Sequence, residues 1–149
     1  MSIFEQVSKD IIAAMKAKDK VRLEALRNIK KYFIEAKTAP GANDELTDDA
    51  ALKILVKLAK QGKDTAALYR EKGREDLAAE ESAQAAIIEE YLPKQLTEDE
   101  LKTVVSDIIA QTGATSMKDM GKVMGVASKQ LAGKAEGRAI SDMVKKLLA

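Results

Sequence analysis

The sequence has no cysteine, no histidine and no tryptophan in 149 residues. Without thiols there is no disulfide, no thiolate nucleophile and no cysteine-ligated metal, which fits a reducing compartment without requiring one. Without imidazole, the commonest general acid/base and the commonest transition-metal ligand are both missing. Any chemistry would have to run on carboxylates, lysine, tyrosine or serine, or on an oxygen-only Mg²⁺ or Ca²⁺ site. The paired acids Asp48-Asp49, Glu80-Glu81 and Glu89-Glu90 do not supply it. Adjacent residues on a helix point roughly 100° apart and cannot converge on one atom. No phosphate-binding glycine loop, dinucleotide fingerprint or EF-hand spacing occurs either. The expectation is a chain with no catalytic residue, no metal site and no cofactor.

Other scarcities narrow the partners. Two Phe and three Tyr are too few to line a surface that stacks single-stranded bases. No run approaches the roughly 18 apolar residues of a membrane span. The first residues, MSIFEQVSKD, are charged at Glu5, Lys9 and Asp10 and contain no apolar run of signal-peptide length. A cytoplasmic chain with no membrane partner is expected.

What is present is helical. With 46% hydrophobic and 33% charged residues the chain reads as globular rather than disordered. Its apolar residues recur at helical spacing with no alternation long enough for a strand, so the fold class is all-α. The spacing predicts a first helix over 3–18, with Phe4, Val7, Ile11, Ala14 and Met15 on one stripe. After Asp19 as N-cap, a second carries Leu23, Leu26, Ile29 and Phe33. Pro40-Gly41 breaks the pattern. A third helix starts at Thr47 or Asp48, runs through Leu52, Leu55, Val56, Ala59 and Leu68, and closes at Gly73. The fourth extends from about Arg74 to Tyr91 and stops at Leu92-Pro93, because proline disfavours helix in the residue before it. The domain boundary is placed there, giving an N-terminal domain of about four helices over 1–92 and a three-helix tail over 93–149.

The tail opens with Thr97-Glu98-Asp99-Glu100, a capping box in form. Leu101, Val104, Val105, Ile108 and Ile109 follow as one buried face up to Gly113. Ser116 is read as the cap of a sixth helix with Met117, Met120, Val123, Met124 and Ala127 as core positions. Gly133 and Gly137 frame the start of a seventh with Ile140, Met143, Val144, Leu147 and Leu148.

A net charge of +1 hides two basic segments. Lys16 to Lys37 holds 8 basic against 3 acidic residues, and Gly113 to the end holds 7 against 3. In the tail, Lys118 with Lys122 and Lys134 with Arg138 make same-sign i,i+4 pairs, which weaken an isolated helix by a few tenths of a kcal/mol and suit an anionic partner. Arg22, Arg27, Lys30 and Lys31 are the corresponding candidates in the first segment. Gly121 and Gly125 sit inside an amphipathic run where each costs about 1 kcal/mol relative to Ala. Two compensations are open: close crossing of another helix, or direct approach of the backbone to a phosphate. Gly133 and Gly137 join them as structural glycines.

Five stretches in order, MKAKDKVRLEALR (Met15 to Arg27), EKGREDLAAEE (Glu71 to Glu81), EYLPKQLTEDEL (Glu90 to Leu101), GATSMKDMGKVMG (Gly113 to Gly125) and GKAEGRAI (Gly133 to Ile140), resemble the GatB/YqeY family across nearly the whole chain. The resemblance implies a stand-alone YqeY-like protein whose tail is similar to that of the B subunit of the amidotransferase acting on Glu-tRNA(Gln) or Asp-tRNA(Asn), where the tail helps hold tRNA. The B subunit's ATP- and Mg²⁺-dependent catalytic domain has no counterpart here, so amidotransferase activity does not transfer with the tail. The leading expectation is a non-catalytic protein that binds tRNA or another structured RNA, or an aminoacyl-tRNA or amidotransferase complex, through Lys118, Lys122, Lys134 and Arg138. The rivals are a protein-interaction adaptor using the third and fourth helices, and an auxiliary subunit in tRNA-dependent amidation.

Overall fold

A computed structural model describes all of residues 1–149. Ser2 starts the first helix reciprocally: its hydroxyl accepts the Glu5 amide at 3.1 Å, and the Glu5 carboxylate accepts the Ser2 amide at 3.2 Å. Both amides would otherwise lack a partner inside the helix. Helix α1 (Ile3–Ala17) ends at Lys18, whose left-handed backbone (φ 56°) reverses the chain. Asp19 then caps α2 (Lys20–Lys37) by accepting the Arg22 amide. Thr47 caps α3 (Asp48–Glu71), and the Asp48 carboxylate accepts the Ile3 amide at 3.0 Å, fastening the start of α1 to the start of α3. Gly73, at φ 74°, turns the chain into α4 (Glu75–Glu89).

Residues Met1–Leu92 form one compact unit and Pro93–Ala149 a second. The first is held by Phe33, Leu26, Ile29 and Leu55, all fully buried. Each contributes on the order of 1.5 to 3 kcal/mol of burial. No charged or polar residue is buried, so every ionic group stays at the surface. Helices α3 and α4 run along each other. At Gly62 they approach so closely that a Cβ would lie 3.2 Å from the Cβ of Ala85. Leu68, expected on the core stripe of α3, is more than half exposed. It lies about 140° around the helix from Leu55, off the packed face. Met15, in the last turn of α1, is also half-exposed.

In the second unit, Thr97 caps α5 (Glu98–Thr112) with bonds in both directions: its hydroxyl accepts the Glu100 amide and its amide donates to the Glu100 carboxylate. The amide first, and the hydroxyl second, hold the Glu100 carboxyl below the usual carboxylate range. Gly113 (φ 71°) ends the helix. Ser116 caps a single 3₁₀ turn, Met117–Asp119, which feeds α6 (Met120–Gln130); α7 (Gly137–Leu148) closes the chain. Leu101, Val105, Ile108, Val123, Ala127, Leu131, Ile140 and Val144 form the core. Met120 and Met124 pack against it half-buried, whereas Met117, on the 3₁₀ turn, is exposed and is no core residue. Seven α-helices and no strand make the fold all-α. None of the helices is long and apolar enough to cross a membrane.

Candidate nucleic-acid interface

Helix α6 divides cleanly into two faces. Val123 and Ala127 are fully buried. At roughly 100° per residue, Gly121, Lys122, Gly125 and Lys129 fall on the opposite side, and all four are exposed. A Cβ built on Gly121 or Gly125 meets nothing within 4 Å. The close helix crossing expected at these glycines is therefore absent, because α6 packs through its other face and leaves the glycine side open. Gly121, Lys122, Gly125, Val126, Lys129 and Gln130 together line a shallow exposed surface. Two lysines two turns apart flank a stretch of bare helix backbone. Sequence reading overlooked Lys129, which an i+7 count from Lys122 would have found.

Lys118 lies on the 3₁₀ turn, exposed, its amide donating to the Ser116 hydroxyl at 3.3 Å. The Asp119 carboxylate beside it accepts the Thr115 amide at 3.0 Å. Lys134 and Arg138 stand at the other basic position, but the helix expected to join them does not: Lys134 belongs to the turn before α7, and Arg138 is the second residue of the helix. Gly133 supplies the left-handed conformation (φ 77°) that this turn requires. Its carbonyl accepts from Gln95 Nε2 at 2.6 Å, and the Lys134 carbonyl accepts the Leu96 amide at 2.9 Å, so the turn is stitched to the segment before α5. Gly137 is exposed at the start of α7 with nothing within 4 Å of a Cβ; it too marks no close crossing.

The electrostatics of the two units differ. Every ion pair in the chain lies in Met1–Leu92. Lys118, Lys122, Lys129, Lys134 and Arg138 have no carboxylate partner. Neither α6 nor α7 has an acidic residue in its first turn; the acids nearest their positive ends are Asp119 and Glu136 at the N-cap positions, neither of which makes a side-chain capping bond. The candidates on α2 are differently engaged. Arg22 donates to the Glu90 carboxylate at 2.8 Å and lies 3.5 Å from Asp19. The hydrogen bond it donates to Glu90 is the main cause that raises its guanidinium pKa above the ordinary arginine value. The Lys30 ammonium sits 5.9 Å from the Phe4 ring centre and that of Lys31 5.4 Å from Tyr32, within cation–π range. Arg27 is exposed. No three acidic side chains converge where they could hold a metal ion.

Comparison with known proteins bears on this arrangement. Among relatives is "Altered inheritance of mitochondria protein 41, mitochondrial" of Vanderwaltozyma polyspora, 32% identical over 124 residues, covering 76% of this chain and 64% of the relative. The protein of the same name from Meyerozyma guilliermondii is 29% identical over 125 residues, covering 80% and 65%. The chain thus spans a little under two thirds of the length of these relatives. Residues 4–148 match the family model described as Yqey-like protein. With nearly every residue of both helical units inside that match, the chain belongs to the YqeY-like family.

Proposed function

We propose that this chain binds structured RNA, tRNA in the first instance, through the basic surface of the Pro93–Ala149 unit, and does no chemistry on it. The observation that carries the reading is the absence of carboxylate partners for Lys118, Lys122, Lys129, Lys134 and Arg138 in a chain whose ion pairs all lie in the other unit. Unpaired cations release counterions when they meet phosphates, the main source of sequence-independent affinity. The open backbone at Gly121 and Gly125 lets a phosphate strand come close between Lys122 and Lys129. The scarcity of aromatics favours reading by shape and phosphate over base stacking. Lys118, Lys122, Lys134 and Arg138 are the primary contacts. Arg22, Lys30 and Lys31 are weaker candidates because their charges already have partners in the chain, which leaves Arg27 as the freest of that group.

The compartment is one that contains tRNA. We place this chain in the cytoplasm, although the two relatives carry a mitochondrial name. A part in tRNA-dependent amidation, as an auxiliary subunit, rests on the resemblance of the tail to that of the amidotransferase B subunit. It requires that adding the chain change the rate of transamidation.

The test is to titrate the full chain with tRNA and follow backbone amide resonances. Shifts centred on residues 117–138 support the reading. Shifts confined to α3 and α4, or none at stoichiometric tRNA, contradict it.

A further inference from the structure

A cleft of about 440 Å³ lies between the start of α5, the turn before α7 and one face of α7, and no residue of α6 lines it. Leu96, Leu101, Ala135, Ala139 and Met143 give it an apolar floor, and five charged residues surround them: Glu98, Lys134, Glu136, Asp142 and Lys146. None of the five is in an ion pair within the chain. Ala139, Asp142, Met143 and Lys146 recur at i, i+3, i+4 and i+7, so the cleft follows α7 for two turns, roughly 10 Å at 1.5 Å per residue. Small alanines at 135 and 139 leave room, and Met143 is a side chain that adapts to an incoming apolar group.

We propose that this cleft receives an amphipathic helical segment of a protein partner, lying antiparallel to α7, with two apolar side chains one turn apart seated on the floor. Its length and anchor spacing are those of a helix laid in a groove. The charge distribution sets the direction. Lys146 stands at the C-terminal end of α7, and Glu98 and Glu136 outnumber Lys134 at the other. A helix with the ordinary bias, acidic in its first turn and basic in its last, presents the opposite sign at both ends only if it runs antiparallel. RNA fits poorly, since three carboxylates surround the floor. A second copy of α7, laid antiparallel, would bring two Asp142 carboxylates together near the centre of the contact. Of the RNA contacts proposed above only Lys134 borders this cleft; Lys118, Lys122 and Arg138 lie outside it.

The test selects displayed helical peptides, randomised in sequence, against the full chain, with Ala139→Trp and Lys146→Glu as parallel baits. Position 139 is half-buried in the cleft wall and residue 146 is exposed, so the second variant keeps the fold even if the first does not; melting curves check both. The wild type should enrich peptides with apolar residues at i and i+3 or i+4, acids before them and bases after. These should bind Ala139→Trp at least about tenfold more weakly, the scale of one displaced apolar anchor. With Lys146→Glu the enriched peptides should turn basic at their N-terminal end. Absence of enrichment, or peptides indifferent to both substitutions, overturns the proposal. So does dimerisation of the chain that Ala139→Trp abolishes, which gives the cleft to a second copy, or a loss of tRNA affinity in that variant, which gives it to RNA.

Discussion

Gly62 on α3 faces Ala85 on α4 so closely that a Cβ at position 62 would lie 3.2 Å from that of Ala85. Gly125, on α6, has nothing within 4 Å of the same built atom. The two residues answer different needs. One lets helices approach, and the other leaves a helix face bare toward solvent.

Leucine at position 62 should therefore destabilise the first unit by about 1 to 3 kcal/mol, the usual range for overpacking. Alanine at position 125 should raise stability by up to about 1 kcal/mol, the helix-propensity gain with no steric penalty. Urea denaturation of Gly62→Leu and Gly125→Ala checks both signs. An unaffected Gly62→Leu would mean α3 and α4 can part without loss, and a weakened Gly125→Ala would mean that α6 is packed on that side.

The Tyr91 phenol donates to the Asp10 carboxylate, which also accepts from Gln6 Nε2 at 2.8 Å, tying the segment after α4 to α1. Tyr91→Phe should cost about 1 to 2 kcal/mol near neutral pH, the value of a hydrogen bond to a charged acceptor with partial exposure. Burial first, and the bond to Asp10 second, push the Tyr91 phenol well above the ordinary tyrosine value. A raised pKa favours the protonated form in the folded state. Its contribution is complete below the unfolded tyrosine value of about 10 and falls as pH rises through it toward the folded value. The stability difference between wild type and Tyr91→Phe should hold constant to that pH and narrow beyond it. A gap that stays unchanged far into the alkaline range would remove Tyr91 from the coupling.

Local chemistry was readable in the sequence where the cause is local. Asp19, Thr47 and Thr97 each cap the helix that follows because a short oxygen side chain reaches an amide three residues on. What escaped depends on distant parts of the chain. Gly62 sits in a polar run, QGKDT, and its need comes from a helix that begins at Glu75. The i,i+4 spacing of Gly121 and Gly125 says that they share a face but not what lies against it. Arg22 looks like a free cation until Glu90, 68 residues away, is seen beside it. The cleft on α7 draws on residues from Gln95 to Lys146 and has no contiguous signature.

Residues 93–149 expressed alone should give a helical circular dichroism spectrum with a cooperative melt, since their core, Val105, Ile108, Val123, Ala127 and Val144, is supplied within the segment. Thr97→Ala in that fragment should lower stability by about 1 kcal/mol through loss of the cap. A random-coil spectrum in benign buffer would contradict an independent unit, and an unchanged melt would show the cap to be dispensable.

The central claim is that cations of the second unit meet phosphates, and salt dependence reads it most directly. Binding of tRNA to the full chain and to a variant with Lys118, Lys122, Lys134 and Arg138 all replaced by Gln should be measured across a range of salt concentrations. Four phosphate contacts predict a log–log slope steeper by roughly 3 to 4 in the wild type, at about 0.7 to 0.9 ions released per contact. The variant should bind more weakly at low salt and melt within a few degrees of the parent. Equal affinity and equal slope for the two proteins would contradict the account and remove these side chains from RNA recognition.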